Sequence, residues 1–450
     1  MPSSTVQSIA KELIELGSQS KDDLTKLLHS VLTKSNVEPD VVANVVDAVS
    51  NDPSLHLNQK HLSTEYLRKQ YYKKHLFYTE PQEKVLLDSD GKATSNIFHY
   101  VPILVTIKNM FKDPNVRYQF ENRPQISKPG VFSDFVDGSV FQESDFLQRN
   151  PDGLPIILYE DGLEICRVLG SARGKHKVVA VYMVLGFCSP EWRSHVDNIQ
   201  LVGLCKNKIL DREQFYKPLV EDLKKLEDDG LEIYEGKCVK GTAAFIAGDN
   251  LGLQGLMGMQ ESFGKTKYIC RKCVIPRELF KSEFPFFANR TKEHFDEALL
   301  KIKNENLESY KGIKGSCSFH ELKYYHVCKG TPFCLAHDLL EGVVCIDLAL
   351  FIAHLVFTSK WFDVNYLNAR IMSFPYSAED RRDKPVPLLE SVSKIVGSAC
   401  QVWTFIKLLP LLIADKIKDP NHEVWDLVLR LREVVLLVTA PAFKKTTRLS

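Results

Sequence analysis

Two aspartates close strand-like runs in the middle of the chain, and together they could hold a divalent metal ion. Asp161 ends the run 154–161 (LPIILYED), and Asp249 ends the run 241–249 (GTAAFIAGD). Carboxylates are hard oxygen ligands that suit Mg²⁺ or Mn²⁺. Two such ions about 4 Å apart can activate an attacking oxygen and stabilise a leaving one. The pair predicts metal-dependent chemistry on nucleic-acid strands; the alternative is that both aspartates only cap the local backbone.

A Cys-x-x-Cys pair, Cys270 and Cys273, follows the second aspartate. Two thiolates on a tight turn suit tetrahedral zinc, which predicts a zinc-tied insertion but requires two more ligands. The following residues offer these thiols and imidazoles: Cys317, His320, His326, Cys328, Cys334 and His337. The alternative is that they are scattered, partly buried side chains.

A third acid is normally needed beside two metal-binding aspartates, and the segment 337–341 (HDLLE) offers one. His337 and Glu341 lie four residues apart, on one face of a predicted helix. Glu341, or Asp338 beside it, could be the third metal ligand. The alternative is a paired polar cluster that holds the helix in place.

The composition is that of a globular protein without a membrane span. Of the 450 residues 44% are hydrophobic and 26% are charged, with a net charge of +1, so any DNA affinity must come from local basic clusters such as 68–74 and 265–272. The cysteine count of 11 is odd and without a disulfide pattern, which favours a reducing compartment. No signal peptide is apparent, and the apolar runs near 335–357 and 402–414 are interrupted by charged residues or proline. We therefore expect a soluble, intracellular protein.

Periodicity predicts a helix before residue 20 and a nearly all-apolar helix over 336–357 that should be buried. Between residues 154 and 262 it predicts the order β-β-β-α-β-α, with the second strand over 177–185. An RNase H-like fold has this order, and its first strand lies beside its fourth, so that Asp161 and Asp249 would converge. The predicted class is α/β: an RNase H-like mixed sheet with flanking helices and a mostly helical insertion and C-terminal region. The predicted regions are an N-terminal helical region (1–60), a connector with a helical and loop lead-in (61–153), the core (154–265), a helical CxxC-bearing insertion (266–440) and an unstructured tail (441–450).

An ordered series of motifs resembles the cut-and-paste DDE/D transposases of the CACTA-like group. The series comprises LYED (158–161), GKHK (174–177), DNIQL (197–201), LVEDL (219–223), GDNLGL (248–253), CRKC (270–273) and HDLLEG (337–342). The resemblance covers roughly residues 65–440. It implies an RNase H-like catalytic domain with a zinc-supported helical insertion. Asp161 and Asp249 fall on the first two catalytic acids, and Cys270 and Cys273 fall on the paired zinc thiolates.

The chain also departs from that family. Relatives complete the zinc site with a later His-x4-His, and a Trp-x-Arg-Phe-Glu-like stretch carries the last catalytic glutamate. Here only His56 and His61 have the histidine spacing, and they lie far upstream. The Cys/His-rich N-terminal module of many relatives is not seen either. We therefore expect a C-terminally truncated product that ends in an unrelated basic tail.

The sequence thus predicts a transposase-derived protein with an incomplete DDE/D site, which binds DNA or protein with little strand-transfer activity. One alternative is an active metal-dependent nuclease or transposase that uses Glu341 or Asp338 as its third acid. Another is a non-enzymatic interaction protein that docks through its N-terminal helices. The resemblance implies nuclear localisation, DNA as partner, and a second copy or a longer transposase as a further partner.

Overall fold

The computed structural model describes residues 23–34, 37–51, 64–123, 127–165, 176–280 and 287–444. They divide into two compact units. The first comprises the described part of Met1–Glu80 together with Val105–Asp113, and the second comprises Pro81–Leu104 and the described part of Pro114–Ser450. The five predicted regions stay a prediction.

The first unit is helical. It contains α1 (23–34), α2 (Pro39–Asn51), α3 (Glu65–His75) and most of α4 (Ile103–Met110). The Thr64 hydroxyl accepts the N–H of Leu67 and caps α3. The basic cluster 68–74 lies on this helix, where Lys73 pairs with Glu80 at 2.5 Å. The helix predicted before residue 20 lies outside the described residues.

A mixed six-stranded sheet forms the centre of the second unit, with the order β1-β2-β6-β5-β4-β9. Its strands are β1 (Gln82–Leu87), β2 (Ala93–Tyr100), β4 (Leu154–Glu164), β5 (Lys177–Leu185), β6 (Gln200–Lys206) and β9 (Gly241–Gly248). Two small two-stranded sheets pair β3 (Val131–Phe132) with β10 (Phe443–Lys444), and β7 (Leu231–Tyr234) with β8 (Lys237–Val239). The predicted α/β class is confirmed at the level of a mixed sheet with flanking helices.

The remaining helices flank or follow this sheet. They are α5 (Pro114–Glu121), α6 (Ser139–Gln142), α7 (Asp145–Arg149), α8 (Pro190–Ser194), α9 (Arg212–Asp228), α10 (Asn250–Leu256), α11 (Lys292–Glu305), α12 (Val327–Gly330), α13 (Leu335–Thr358), α14 (Val364–Ser373), α15 (Ala399–Ile413) and α16 (Glu423–Val438). Short 3₁₀ turns lie at Phe135–Asp137, Val196–Asn198, Asn207–Ile209, Arg277–Leu279, Ser318–Glu321 and Ala414–Lys416.

The centre of the sheet consists of strands that the sequence pattern predicted. β4 runs antiparallel to β5 and parallel to β9. These strands are rich in β-branched and aliphatic residues, and Leu154, Ile156 and Leu158 are fully buried because alternate side chains of β4 face the core. α9 covers the sheet with its buried residues Phe215, Leu219 and Leu223.

Two expectations for chain segments differ from the structure. Residues 82–100 were predicted to be connector, but they form the β1–β2 hairpin, which extends the sheet beyond β6. β1 has a mostly exposed face, so its hydrophobic alternation is weak. In the predicted unstructured tail, Phe443 and Lys444 pair with Phe132 and Val131, and residues 445–450 lie outside the described residues.

α13 is the longest helix of the described residues, and its buried residues belong to the core of the helical region. Leu335–Val344 and His354–Thr358 are π-helical, and Cys345–Ala353 between them is α-helical. By length and composition alone α13 could cross a membrane, and 44% of its apolar window is buried within the protein. The prediction that α13 is buried holds for one face only, because Ile346 and Leu350 on it are exposed.

We expect the buried face of α13 to determine the stability of the helical region. Leu348 is fully buried and Leu350 is 63% exposed on the same helix. Leu348→Ala should lower the free energy of unfolding by about 2–5 kcal/mol through lost burial and a residual cavity. The matched Leu350→Ala should change it by less than about 0.5 kcal/mol. Urea denaturation followed by circular dichroism measures both, and equal losses would contradict this packing.

Candidate functional site

Asp161 and Asp249 lie on neighbouring parallel strands at the point where β9 ends. The pairing of β4 with β9 reaches Glu160 opposite Gly248, and the two aspartates are the next residue on each strand. Adjacent strands are about 4.8 Å apart, so the two carboxylates start from neighbouring backbone positions. β4 itself does not end at Asp161, as the sequence predicted, but continues to Glu164 along β5.

The phenol of Tyr159 lies close enough to both carboxylates to be affected by their charge. Tyr159 precedes Asp161 by two residues and so lies on the same face of β4. Burial raises the pKa of the Tyr159 phenol, and negative charge on Asp161, Cys334 and Asp249 raises it further. The phenol therefore stays protonated beside the carboxylates.

One oxygen of Asp249 is already used in folding. Asp249 is the N-cap of α10, and its Oδ1 accepts the N–H of Gly252 at 2.5 Å. A β-carbon at Gly252 would lie 3.0 Å from Glu160 Oε1 and 3.1 Å from Asp249 Oδ1, so a glycine lets both carboxylates approach the start of the helix. The capping role that was the alternative reading of Asp249 is therefore present, and it leaves the second oxygen for a ligand.

A buried ion pair lies directly behind the two aspartates. Glu160 is 3% exposed and accepts hydrogen bonds from Arg212 Nη1 at 2.6 Å and from the Tyr216 hydroxyl. Burial raises the pKa of the Glu160 carboxyl, an effect that the charge of Arg212 opposes. This network fixes the β4 backbone next to Asp161 to the first turn of α9.

A second network joins the CxxC segment to the residue after Asp249. Arg271, 7% exposed, donates to Asn250 Oδ1 and to Asp338 Oδ2, the latter at 3.3 Å. Asn250 Nδ2 donates to Asp338 Oδ1 at 2.5 Å, and the Cys334 N–H donates to Asp338 Oδ2 at 2.9 Å. The network brings the start of α13 to the end of β9.

The first turns of α13 carry a further polar series. Cys334 Sγ lies 3.0 Å from His337 Nδ1, and His337 Nε2 lies 4.0 Å from Glu341 Oε2. The other oxygen of Glu341 accepts the N–H of Ala399 at 3.1 Å, at the start of α15. This agrees with the alternative reading of the segment as a polar cluster that holds a helix in place.

The proposed third acids are therefore engaged elsewhere. Both oxygens of Asp338 receive hydrogen bonds from protein groups, and Glu341 bridges α13 to α15. Within the described ranges, no group of three or more His, Cys, Asp or Glu side chains could hold a metal ion. Asp161 and Asp249 are therefore neighbours by register, and no third metal-ligating side chain joins them among the described residues.

The CxxC segment has the local geometry of a thiolate turn. The backbone N–H groups of Lys272 and Cys273 both point to Cys270 Sγ, at 3.3 Å each. Cys328 lies nearby, since Lys272 Nζ donates to the Cys328 carbonyl oxygen at 3.5 Å. The part of the chain that the structure describes offers no complete ligand set around these thiols.

Two of the other candidate ligands, His320 and His326, form a pair of their own. Their rings stack at 4.1 Å, and neither buried Nε2 atom has a hydrogen-bond partner among the described residues. His326 Nδ1 accepts the N–H of Cys328 at 3.3 Å. Burial lowers the pKa of both imidazoles, and for His320, where the neighbouring His326 adds to the effect, the pKa falls to about 4.

Sequence reasoning missed Glu160, Arg212 and Arg271. Alternation along LPIILYED already places Glu160 on the same face as the buried Ile156 and Leu158. A buried glutamate needs a cationic partner, so a search for one was justified. For Arg271, which lies inside the CxxC motif, no signal distinguished a structural arginine from an exposed one.

No protein-family model matches the chain, and no curated protein matches it with significance.

We expect Arg212→Met to destabilise the protein because it leaves the Glu160 carboxylate buried without its cation. The free energy of unfolding should fall by roughly 3 kcal/mol. Lys217→Met, at an exposed position of the same helix, should change it by less than about 0.5 kcal/mol. Chemical denaturation at neutral pH compares the two variants. A loss no larger in Arg212→Met than in Lys217→Met would contradict the buried pair.

The stacked histidines predict a pH-dependent stability. Because the folded protein holds His320 neutral, its contribution is complete above the ordinary pKa of about 6.5 and is lost as the pH falls towards about 4. Over that window the free energy of unfolding should drop by about 3 kcal/mol through this group. His320→Asn should flatten the dependence, whereas His195→Asn, at an exposed site, should keep the wild-type slope. Identical slopes in all three proteins would contradict the assignment.

Proposed function

We propose that this chain is a DNA-binding protein derived from a CACTA-like DDE/D transposase, with an RNase H-like core and an incomplete catalytic site. The observation that carries the proposal is the register of β4 with β9, which makes Asp161 and Asp249 neighbours at a strand end. The family is proposed from the ordered sequence motifs, and nuclear localisation is proposed from the same resemblance.

The strand order supports an RNase H-like core. Among β4, β5, β6 and β9 the spatial order is third-second-first-fourth in chain order, with the first three antiparallel and the fourth parallel to the first. This is the arrangement in which the first two acids of a DDE/D site converge. The β1–β2 hairpin is an addition at the opposite edge.

The state of the acids supports binding without efficient strand transfer. Two-ion phosphoryl transfer requires both the attacking and the leaving oxygen to be stabilised by positioned metal. Asp161 and Asp249 offer two carboxylates, and Asp249 uses one oxygen as a helix cap. A bound Mg²⁺ or Mn²⁺ would supply Lewis acidity there, but the described residues offer no third acid beside the pair, so no cleavage step is assigned.

The CxxC segment acts in this proposal as a structural support. Cys270 and Cys273 would supply two thiolates to zinc, and the described residues do not complete the set. Arg271 connects the segment to Asn250 and Asp338 directly through its side chain. We therefore assign positioning of the strand-end aspartates to the Arg271 network, and no step to zinc.

Two alternative functions are an active nuclease and a protein-docking role. An active nuclease would need Asp338 or Glu341 to leave its present partners and reach the aspartates. A protein-docking role would use exposed apolar side chains, of which α13 presents Val343, Ile346 and Leu350. Neither has an observation of comparable weight.

The test combines DNA binding with nicking of supercoiled plasmid by the full chain in Mg²⁺ or Mn²⁺. We expect DNA binding without nicking above background. Asp161→Asn with Asp249→Asn should bind DNA at least as tightly as the wild type, because the substitutions remove negative charge that repels phosphates. Asparagine is as good an N-cap as aspartate, so α10 is retained in this variant.

Asp249→Ala serves as the matched comparison, since it removes the cap as well as the charge and should cost about 1 kcal/mol of stability. Metal-dependent nicking by the wild type that disappears in Asp161→Asn alone and in Asp249→Asn alone would show a working site with a further ligand and would overturn the incomplete site. Absence of DNA binding by the folded wild type would overturn the proposal itself.

A further inference from the structure

An open groove lies in the insertion that follows β9, away from the strand-end aspartates in sequence. Its walls are the segments 260–268 and 309–314, and its volume is about 740 Å³. We call it the lysine–tyrosine groove. The first of these walls overlaps the basic cluster 265–272 of the sequence analysis.

The lining of the groove is strongly basic for a protein of net charge +1. Lys265, Lys267, Lys311 and Lys314 line it against the single acid Glu261, which leaves a formal charge of +3. A concentration of positive charge in a concave surface attracts a phosphate backbone.

The lysines are held at the rim by weak, exposed ion pairs. Three of them pair with acids, and Lys265 makes no ion pair to any described residue. The pairs are Lys267–Glu278 at 3.2 Å, Lys311–Glu297 at 3.7 Å and Lys314–Glu261 at 2.6 Å. Such exposed pairs are screened by salt and contribute little, so a phosphate can replace the acid as the partner of the lysine.

Two tyrosines alternate with these lysines along the walls. Lys267 lies over the Tyr268 ring at 5.7 Å, and Lys301 and Lys311 lie over the Tyr310 ring at 4.8 and 5.1 Å. Both tyrosines line the groove and are half-buried. Rings interleaved with cations are what a single nucleic-acid strand uses, because unpaired bases stack on the rings while the lysines follow the backbone.

The walls are fixed before any ligand binds. The Gln260 N–H donates to the Gly312 carbonyl oxygen at 2.9 Å, which joins the two walls, and buried Arg290 donates to the Lys311 carbonyl oxygen at 2.8 Å. Gly312 has φ +85°, and a β-carbon there would lie 2.4 Å from the Tyr268 carbonyl oxygen, so the turn packs directly against the opposite wall. A preformed groove loses little conformational freedom on binding.

We propose that the lysine–tyrosine groove binds a single strand of DNA, with Tyr268 and Tyr310 stacking on bases and the four lysines contacting phosphates. The inference rests on the proposed DNA-binding function and assigns it a surface. A single strand is the expected form because the bases of a duplex are not available for stacking on the two rings.

The test is fluorescence anisotropy of the full chain with a labelled DNA strand of about 20 nucleotides, its duplex and the RNA of the same sequence. Lys265→Glu with Lys267→Glu should weaken single-strand binding about tenfold or more. The slope of log K against log salt should become less negative by about 1.4, as expected for two lost phosphate contacts. Lys217→Glu with Lys329→Glu makes the same change in charge at exposed positions outside the groove and should weaken binding less than about twofold.

Tyr268→Leu provides a second variant that keeps the bulk of the wall and all four lysines. It should weaken binding about fivefold or more with an unchanged salt slope, because it removes stacking and not charge. Thermal unfolding checks that each variant is folded. If the double lysine variant is not folded, the binding of Tyr268→Leu alone tests the groove.

The outcomes distinguish failure of the groove from failure of the DNA-binding function. Single-strand binding that falls equally in the groove and control variants would overturn the groove and leave the DNA-binding function standing. Tighter binding of duplex or RNA than of single-stranded DNA would overturn the assigned ligand. No DNA binding by the wild type would overturn both.

Discussion

The parallel pairing of β4 with β9 is the constraint on which the candidate site depends. Consecutive pairs from Ile157 opposite Phe245 to Glu160 opposite Gly248 fix the register, so that Asp161 and Asp249 follow as neighbours. A slip of one residue would move Asp161 to the opposite face of the sheet, because side chains alternate along a strand. The buried pair of Glu160 with Arg212 reinforces the register from the other face, since either partner alone would be a costly buried charge.

Arg271 extends this constraint into the helical region. It lies between the two cysteines of the CxxC segment and contacts both Asn250, which follows Asp249, and Asp338, near the start of α13. The insertion, the end of β9 and α13 thereby meet at one guanidinium group. The same contacts occupy the carboxylate of Asp338, so the network that positions the site also removes one candidate for its third acid.

The sequence predicted the central strands well because their periodicity follows from burial. The run 177–185 forms β5 over the predicted residues, and Gly241–Gly248 ends one residue before the predicted Asp249. The hairpin 82–100 was missed because β1 carries the apolar Val85 and Leu87 on its exposed face, so its sequence does not alternate between apolar and polar residues. The adjacency of Asp161 and Asp249 was predictable from strand order. The partners of Asp338 and Glu341 were not, because they depend on tertiary contacts with Arg271 and Ala399, which lie 67 and 58 residues away in sequence.

The most direct test of the account is the number of Mn²⁺ ions that the folded chain binds, measured by electron paramagnetic resonance titration. An incomplete pair of carboxylates predicts at most one weakly bound ion, and this ion should be lost in both Asp161→Asn and Asp249→Asn. Two tightly bound ions, or one that survives both substitutions, would contradict the proposal that Asp161 and Asp249 form an incomplete two-ion site.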